Sequence, residues 1–572
     1  MRRAGADVNS TFHKKGKTGK TMPDRRFFSC FFLVLGLLLW GCDSAPEGQR
    51  PADGPGKAVA IPETPEDGGT YVTASIGEPS NLIPPLASDS ASHEVASLLY
   101  VSLLKYNKNL EIEPRAAKSF EVLDGGRLIR FELRPGILWN DGQELTAEDV
   151  EFTYKLYIDP EVPTAYAESY KQVREFKITG RYTFEVRYDK PLARALTSWM
   201  LDILPKHVLE NQNILDTPFA RAPVGAGPYR LTEWTQGSRL VLTANPDYFE
   251  GRPHFDRVIY RIIPDQATMF MELKARNLDL MDLTPQQYSF QTSGPDWEAN
   301  FRKYQYLSFG YTYVGYNLSN PMFADVRVRR AFAHAIDKQA IVKGVLLGLG
   351  QPTIGPYKPG TWVYNDAIRD YPFDPEAARA LLAGAGWTDT NGDGVLDKDG
   401  RPFEFTLMTN QGNESRIKAA TIIQANLAAI GVRVKIRTVE WSAFIKEFID
   451  KGRFEALVMG WNIIIDPDLY NVWHSSQAEP GGLNFVGYKN PELDALLDEG
   501  RHLLGQAERK AVYDKVQQLL HEDQPYTFLY CPLALPVVAA RIQGIEPAPA
   551  GISHNFEKWW IPKALQRSTM QQ

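Results

Sequence analysis

Cysteine is nearly absent from this chain: 572 residues contain only Cys30, Cys42 and Cys531. The first two lie near the start and the third stands alone near the end. An internal disulfide framework and a thiolate metal site are therefore not expected. The nine histidines are scattered, and no His-Glu-x-x-His, Gly-x-Ser-x-Gly or Cys/His grouping occurs. His474 and His521 read as surface or core residues. Asp466 and Asp468 could in principle do acid–base work, but nothing beside them suggests a reacting centre. No internal repeat is present. The longest apolar run, Phe27–Trp40, is shorter than the ~20 residues that span a bilayer. The first 41 residues carry eight Lys/Arg against two Asp, so the rest is about twice as acidic as the formal charge of −6 suggests. An acidic body argues against nucleic acid as the main partner. These absences favour a binder over an enzyme. A hydrolase on an unusual scaffold and a sensory or chaperone-like lipoprotein are the competing readings.

The length exceeds what one hydrophobic core organises, so two or more lobes are expected. With 44% hydrophobic and 23% charged residues the chain is globular. Arg25-Arg26 followed by the apolar run has the layout of a secretory leader. Its end, Leu39-Trp40-Gly41-Cys42, resembles the bacterial lipobox, although Trp40 replaces a small residue. The resemblance implies a signal peptide over 1–41, with 1–21 a start-site extension and Met22 the working start. It also implies lipidation of Cys42, against an uncleaved signal anchor as the alternative, and Asp43 implies retention at the inner membrane. Residues 42–68, rich in Pro, Gly and acid, read as a flexible tether.

Beyond the tether, Tyr71–Ser75 alternates as a strand, and Val95, Leu98, Leu99 and Leu103 share one helical face. Ile129–Leu133 predicts a strand and Asn140-Asp141-Gly142 a turn. Thr146 with Asp149 predicts an acidic capping box. The order strand, Arg-Pro-Gly, Trp, Asp-Gly, Thr-Ala-Glu-Asp-Val, Phe resembles the extracytoplasmic solute-binding proteins of ABC importers, family 5, the oligopeptide- and dipeptide-binding group. The resemblance resumes at Pro223–Trp234, Asn245–Asp265 and Ala324–Val342. It implies an α/β, two-lobed type II periplasmic-binding-protein fold with an extra subdomain in the first lobe. Expected bounds are 69–312 for lobe I, 313–530 for lobe II and 531–565 for the return to lobe I. Gly225-Ala-Gly227-Pro228 lacks the lysine of a phosphate loop and reads as a tight bend. Arg327, Arg329 and Arg330 read as a solvated or hinge-facing set. Asp374 with Pro375 predicts another helix start. The strand–helix order from Phe403 to Phe448 predicts a parallel sheet.

The segment Phe454–Arg501 holds the candidate site. An apolar run, Ala456–Met459, breaks at Gly460-Trp461 and leads to the turn Asp466-Pro467-Asp468. That pattern places an aromatic and carboxylates outside the carboxyl end of a strand, where open α/β sheets bind ligands. The resemblance implies that Gly460, Trp461 and Trp441 flank the ligand. Asn462, Asp466, Arg416 and Tyr313 complete the candidate set. Two departures bear on cargo. Ile464 stands where the family's peptide binders carry an amine-pairing Asp, and Val458 where the oligopeptide binder carries Arg. Asp466 is the nearest carboxylate that could substitute. Asp389, Asn391, Asp393, Gly394 and Asp397 fall at calcium-loop positions 1, 3, 5, 6 and 9, but Gly400 holds the twelfth in place of Glu. No cofactor and no catalytic residue is expected. The expected function is a monomeric, lipid-anchored receptor passing peptides to an ABC permease. The same role for a metal chelate, oligosaccharide, haem or glutathione is the alternative.

Overall fold

The computed structural model describes residues 64–567, apart from 464 and 480. Lobe I is built on a four-stranded sheet. Thr70–Ser75 lies parallel to Arg257–Ile262, which continues antiparallel to Arg239–Ala244 and then Tyr229–Thr235. A three-stranded sheet of Leu280–Asp282, Pro536–Ala539 and Phe301–Lys303 shares its core, which joins Tyr71, Leu240, Val258, Leu273 and Val537. The inserted subdomain is an antiparallel sheet ordered Ala117–Leu123, Leu128–Leu133, Thr183–Tyr188, Val173–Gly180. It packs around Phe131, Trp139, Phe184 and Trp199. Thr146 and Asp149 form the expected capping box at the start of helix Ala147–Ile158. Asp374 likewise caps Pro375–Gly384.

Lobe II is a seven-stranded mixed sheet. Its order is Tyr306–Leu307, Tyr526–Ala534, Gly310–Tyr316, Ala456–Asn462, Glu404–Asn410, Arg433–Val439, with Gly350–Pro352 beside Tyr526–Ala534. Glu404–Asn410 runs parallel to both of its neighbours, as the strand–helix order implies. Both faces of this sheet are covered. Ala456 and Val458 enter one core, Leu457 and Met459 the other. Alternate side chains of a strand point to opposite faces, so a strand buried on both reads as an unbroken apolar run.

Three readings need correction. The expected boundaries 312/313 and 530/531 cut through the strands Gly310–Tyr316 and Tyr526–Ala534. The chain instead crosses between lobes at 304–309 and returns at 534–536, where the two segments run side by side. There the Tyr304 amide donates to the Pro536 carbonyl at 2.9 Å, and the Ser308 amide to that of Pro532 at 3.1 Å. Arg329 is not solvated: it is buried and donates to the carbonyls of Phe323, Ala324 and Asp523. With Arg330, which donates to Glu522 O, it satisfies the end of helix Gln506–Asp523, where a cation is favoured. The Gly225–Gly227 bend owes its glycines to close packing, since a Cβ at Gly225 would fall on the Leu99 carbonyl oxygen.

The acidic loop spends its side chains on itself. Asp389 accepts from the amides of Gly392 and Gly394, Asn391 from Asp393, Asp393 from Val395, and Asp397 from Thr390. Among the described residues no three potential metal ligands converge. Calcium is accordingly expected to leave the melting temperature unchanged. A calcium-dependent rise that disappears in Asp393→Ala contradicts this.

Candidate functional site

Between the lobes lies a cleft of about 790 Å³. The strand pair Gly310–Tyr316 and Ala456–Asn462 ends on it, with Tyr311 opposite Trp461 and Thr312 opposite Gly460. The Trp461 ring is half-buried and stacks on Phe485 at 5.8 Å, and its Nε1 points to Tyr526 Oη at 3.4 Å. Asn462, the last residue of the strand, is exposed at the mouth. Tyr313 departs from expectation. It is fully buried, with its ring 3.8 Å from that of Tyr526, and does not line the cleft. Two residues further into a doubly covered sheet is core, and Tyr311 is the tyrosine at the rim. Val458 is likewise in the core, so an arginine's reach is not simply exchanged for an apolar contact there. Ile464 and Cys42 lie outside the described residues.

Arg416 brings an unpaired positive charge to the cleft. It projects from the first turn of helix Glu414–Ala428, and its Nη1 donates to Asn410 Oδ1 at 2.9 Å. Its guanidinium lies against Gly460, where a Cβ would stand 2.7 Å from Nη2 and 2.9 Å from Tyr311 O. That contact explains the glycine next to the tryptophan. Among the described residues no carboxylate pairs with Arg416 within 4.0 Å. Burial disfavours its charged form, as the downward push on its pKa indicates, although Tyr530 and Tyr313 act the other way. A cation at a helix N-terminus is also opposed by the helix dipole. Arginine stays protonated regardless, so this group is under-compensated and suited to an anion.

The opposite wall is the start of helix Ser90–Leu99. Asp89 caps it through the Ser92 amide at 3.0 Å and receives Trp441 Nε1 at 3.3 Å, a hydrogen bond between lobes. Gly77 packs on the same tryptophan, leaving no room for a side chain. Glu94 faces the cleft with solvent access. The surrounding cleft wall and the charge of Asp282 push its carboxyl upward. The sequence reading missed this wall. Its one local signal is Asp89 standing as an N-cap before the apolar face at Val95, Leu98 and Leu99.

The turn after Trp461 is an ionic knot. Asp466 borders the cleft but is held by both Nη atoms of Arg509, at 2.8 and 3.0 Å. It is therefore not a free carboxylate awaiting an amine, which corrects its expected role as a substitute anchor. Asp468 is fully buried between Arg501, 3.1 Å away though off hydrogen-bond alignment, and Arg194 of the inserted subdomain at 3.3 Å. The contact is extended by the Ala193 amide donating to Arg501 O at 2.7 Å and by Arg501 Nη2 donating to Ser169 Oγ at 3.2 Å. The lobes are thus closed on one another here.

The sequence model described as "Bacterial extracellular solute-binding proteins, family 5 Middle" matches residues 111–482, well over half of the chain. The chain belongs to that family. Its members serve transport as extracytoplasmic binding proteins, not as enzymes. This family-5 chain is 36% identical over 543 residues to the oligopeptide-binding protein AppA of Bacillus subtilis, covering 93% of this chain and 97% of AppA. The structure of AppA with a nonapeptide superposes with a TM-score of 0.84 over 87% of this chain and all of that one. The dipeptide-binding protein of Escherichia coli is 28% identical over 85% of this chain and 94% of its own length. NikZ of Campylobacter jejuni, solved with Ni(L-His), is 26% identical with a TM-score of 0.78, over 86% of this chain and 99% of that one.

Burial alone would push the Asp468 carboxyl up, but the charges of Arg501 and Arg194 and the Tyr470 amide hold it below the usual range. A carboxyl depressed in the folded state contributes stability above its unfolded pKa of ~3.9 that is lost as pH falls through the folded value. Asp468→Asn is expected to cost about 3–5 kcal/mol near neutral pH, the scale of breaking a buried ion pair. The difference from wild type should shrink below pH ~4. Denaturant unfolding across that range checks it, and a pH-independent difference counts against the pairing.

Proposed function

We propose that this protein captures oligopeptides in the interlobe cleft and delivers them to the permease of an ABC importer, tethered to the inner membrane by lipid on Cys42 and acting as a monomer. The observation that carries the cargo reading is the cleft's division of charge and apolar surface. Arg416 waits uncompensated at the strand end for a carboxylate, Trp441 and Trp461 offer amphipathic walls, and Asp466 is already occupied by Arg509. Amphipathic aromatics suit varied side chains. The cleft's volume lies toward the upper end of the ~300–1,000 Å³ usual for ligand sites, room for more than a dipeptide. The bound nonapeptide of AppA supports the same size class. The carboxyl end is read as the fixed end and the amino terminus as the less constrained one.

Calorimetry with free, C-amidated and N-acetylated peptides of two to nine residues tests this. C-amidation should weaken binding by about 2 kcal/mol or more, the scale of losing one partner of a buried charge pair. Arg416→Met should remove the difference between free and amidated peptide. N-acetylation should matter less. If acetylation costs as much and Asp466→Asn reproduces the loss, the assignment of the two ends is wrong. If no peptide binds while haem or a nickel chelate does, the cargo is not a peptide. For the anchor, labelling with a palmitate analogue should mark the wild type and not Cys42→Ser. Equal labelling of both sinks the lipid reading.

A further inference from the structure

A side chamber of about 180 Å³ opens from the cleft, sharing His93, Tyr166, Arg194 and Asn471 with it. Its walls are aromatic. The Tyr157 and Tyr170 rings stack at 4.6 Å, and Tyr166 meets His93 edge-on at 6.0 Å, with Oη and Nε2 3.0 Å apart. Its hydroxyl protons are largely spent on carbonyls. Tyr166 donates to Ala87 O, Tyr170 to Ser198 O, and Thr197 and Ser198 both to Arg194 O. These hydroxyls therefore have little proton left to offer an anion in the chamber.

Among the described residues one carboxylate lines it, that of Asp202. Among the described residues it has no cation within 4.0 Å and no hydrogen-bond donor, unlike Asp466 and Asp468. Burial holds it above the ordinary aspartate range against the weaker pull of His93 and Arg115. The Oδ1 of Asn471 is also buried without a partner. The arginine in the wall, Arg194, directs its charge to Asp468. Aromatic faces around an unpaired acceptor attract a desolvated cation.

We propose that this chamber takes the basic side chain of a bound peptide, a lysine or arginine, with its charge on Asp202 and its stem against Tyr157, Tyr166 and Tyr170. A terminal ammonium would present the same charge but leave most of the 180 Å³ unfilled. A cavity of ~150 Å³ already holds a benzene, so 180 Å³ accommodates a whole side chain. The inference rests on the peptide reading and adds selectivity to it.

The test uses protein freed of endogenous ligand by unfolding and refolding, then offered an equimolar nonapeptide pool varied with Ala, Leu, Glu, Lys and Arg at each position. Mass spectrometry of the retained peptides should show Lys and Arg enriched at least tenfold over Leu and Glu at one position. Asp202→Asn should remove that enrichment while still retaining peptides. A second measurement needs no variant. Acetylating the lysine ε-amine of a selected peptide should weaken its binding to the wild type at least tenfold, and acetylating its amino terminus should not. Retained peptides without a basic preference, or a preference that follows the amino terminus or survives Asp202→Asn, overturn the chamber assignment and leave the peptide reading standing. If no peptide is retained, both fall.

Discussion

The closed form of this protein depends on Asp468, a carboxylate with no solvent contact held between an arginine of its own lobe, Arg501, and one of the opposite lobe, Arg194. Stripping these charges of water costs several kcal/mol per ion, and their attraction roughly repays it. Such a pair contributes little net stability when made, but much is lost if one partner is removed. As a contact between lobes this has a consequence. Opening would return Arg194 to water at modest cost while Arg501 stays with Asp468. A latch near balance lets the ligand's own contacts decide between open and closed, since a ligand shifts an equilibrium only by its differential affinity for the two states.

The cleft is also arranged around unmet charge. Arg416 is opposed by both burial and its helix terminus, and among the described residues no carboxylate relieves it. The carboxyl of Glu94 on the facing wall is pushed upward by the cleft wall and by Asp282. Arg416 is better off with an anionic ligand than with the empty site. Trp441 links this chemistry to the closure, because its indole both lines the cleft and donates across the lobes to Asp89. A ligand packed on that ring therefore bears on a contact that the two lobes share.

Much of the fold was legible because its signals are local or ordered along the chain. Thr146 with Asp149 and Asp374 with Pro375 announce helix starts within a few residues. The apolar run Ala456–Met459 announces a strand covered on both faces, and the Gly-Trp that follows marks its end at the rim. What escaped is decided by distant partners. Period two puts Tyr311 and Tyr313 on the same face of their strand, and only the register against Trp461 shows which one reaches the cleft. Asp466 looked available until the fold brought Arg509 to it. Arg329 looked solvated, yet it closes a helix whose last carbonyls lie almost 200 residues on. The lobe I wall has no sequence signature beyond one capping aspartate.

The central claim is that ligand binding and lobe closure are one event, hinged at the paired crossings near Tyr304–Ser308 and Pro532–Pro536. Small-angle scattering measures it most directly, comparing ligand-free protein with protein saturated by a nonapeptide whose binding calorimetry has verified. The account predicts a smaller radius of gyration in the complex, matching that calculated for the closed structure. An unchanged radius at verified saturation would contradict it.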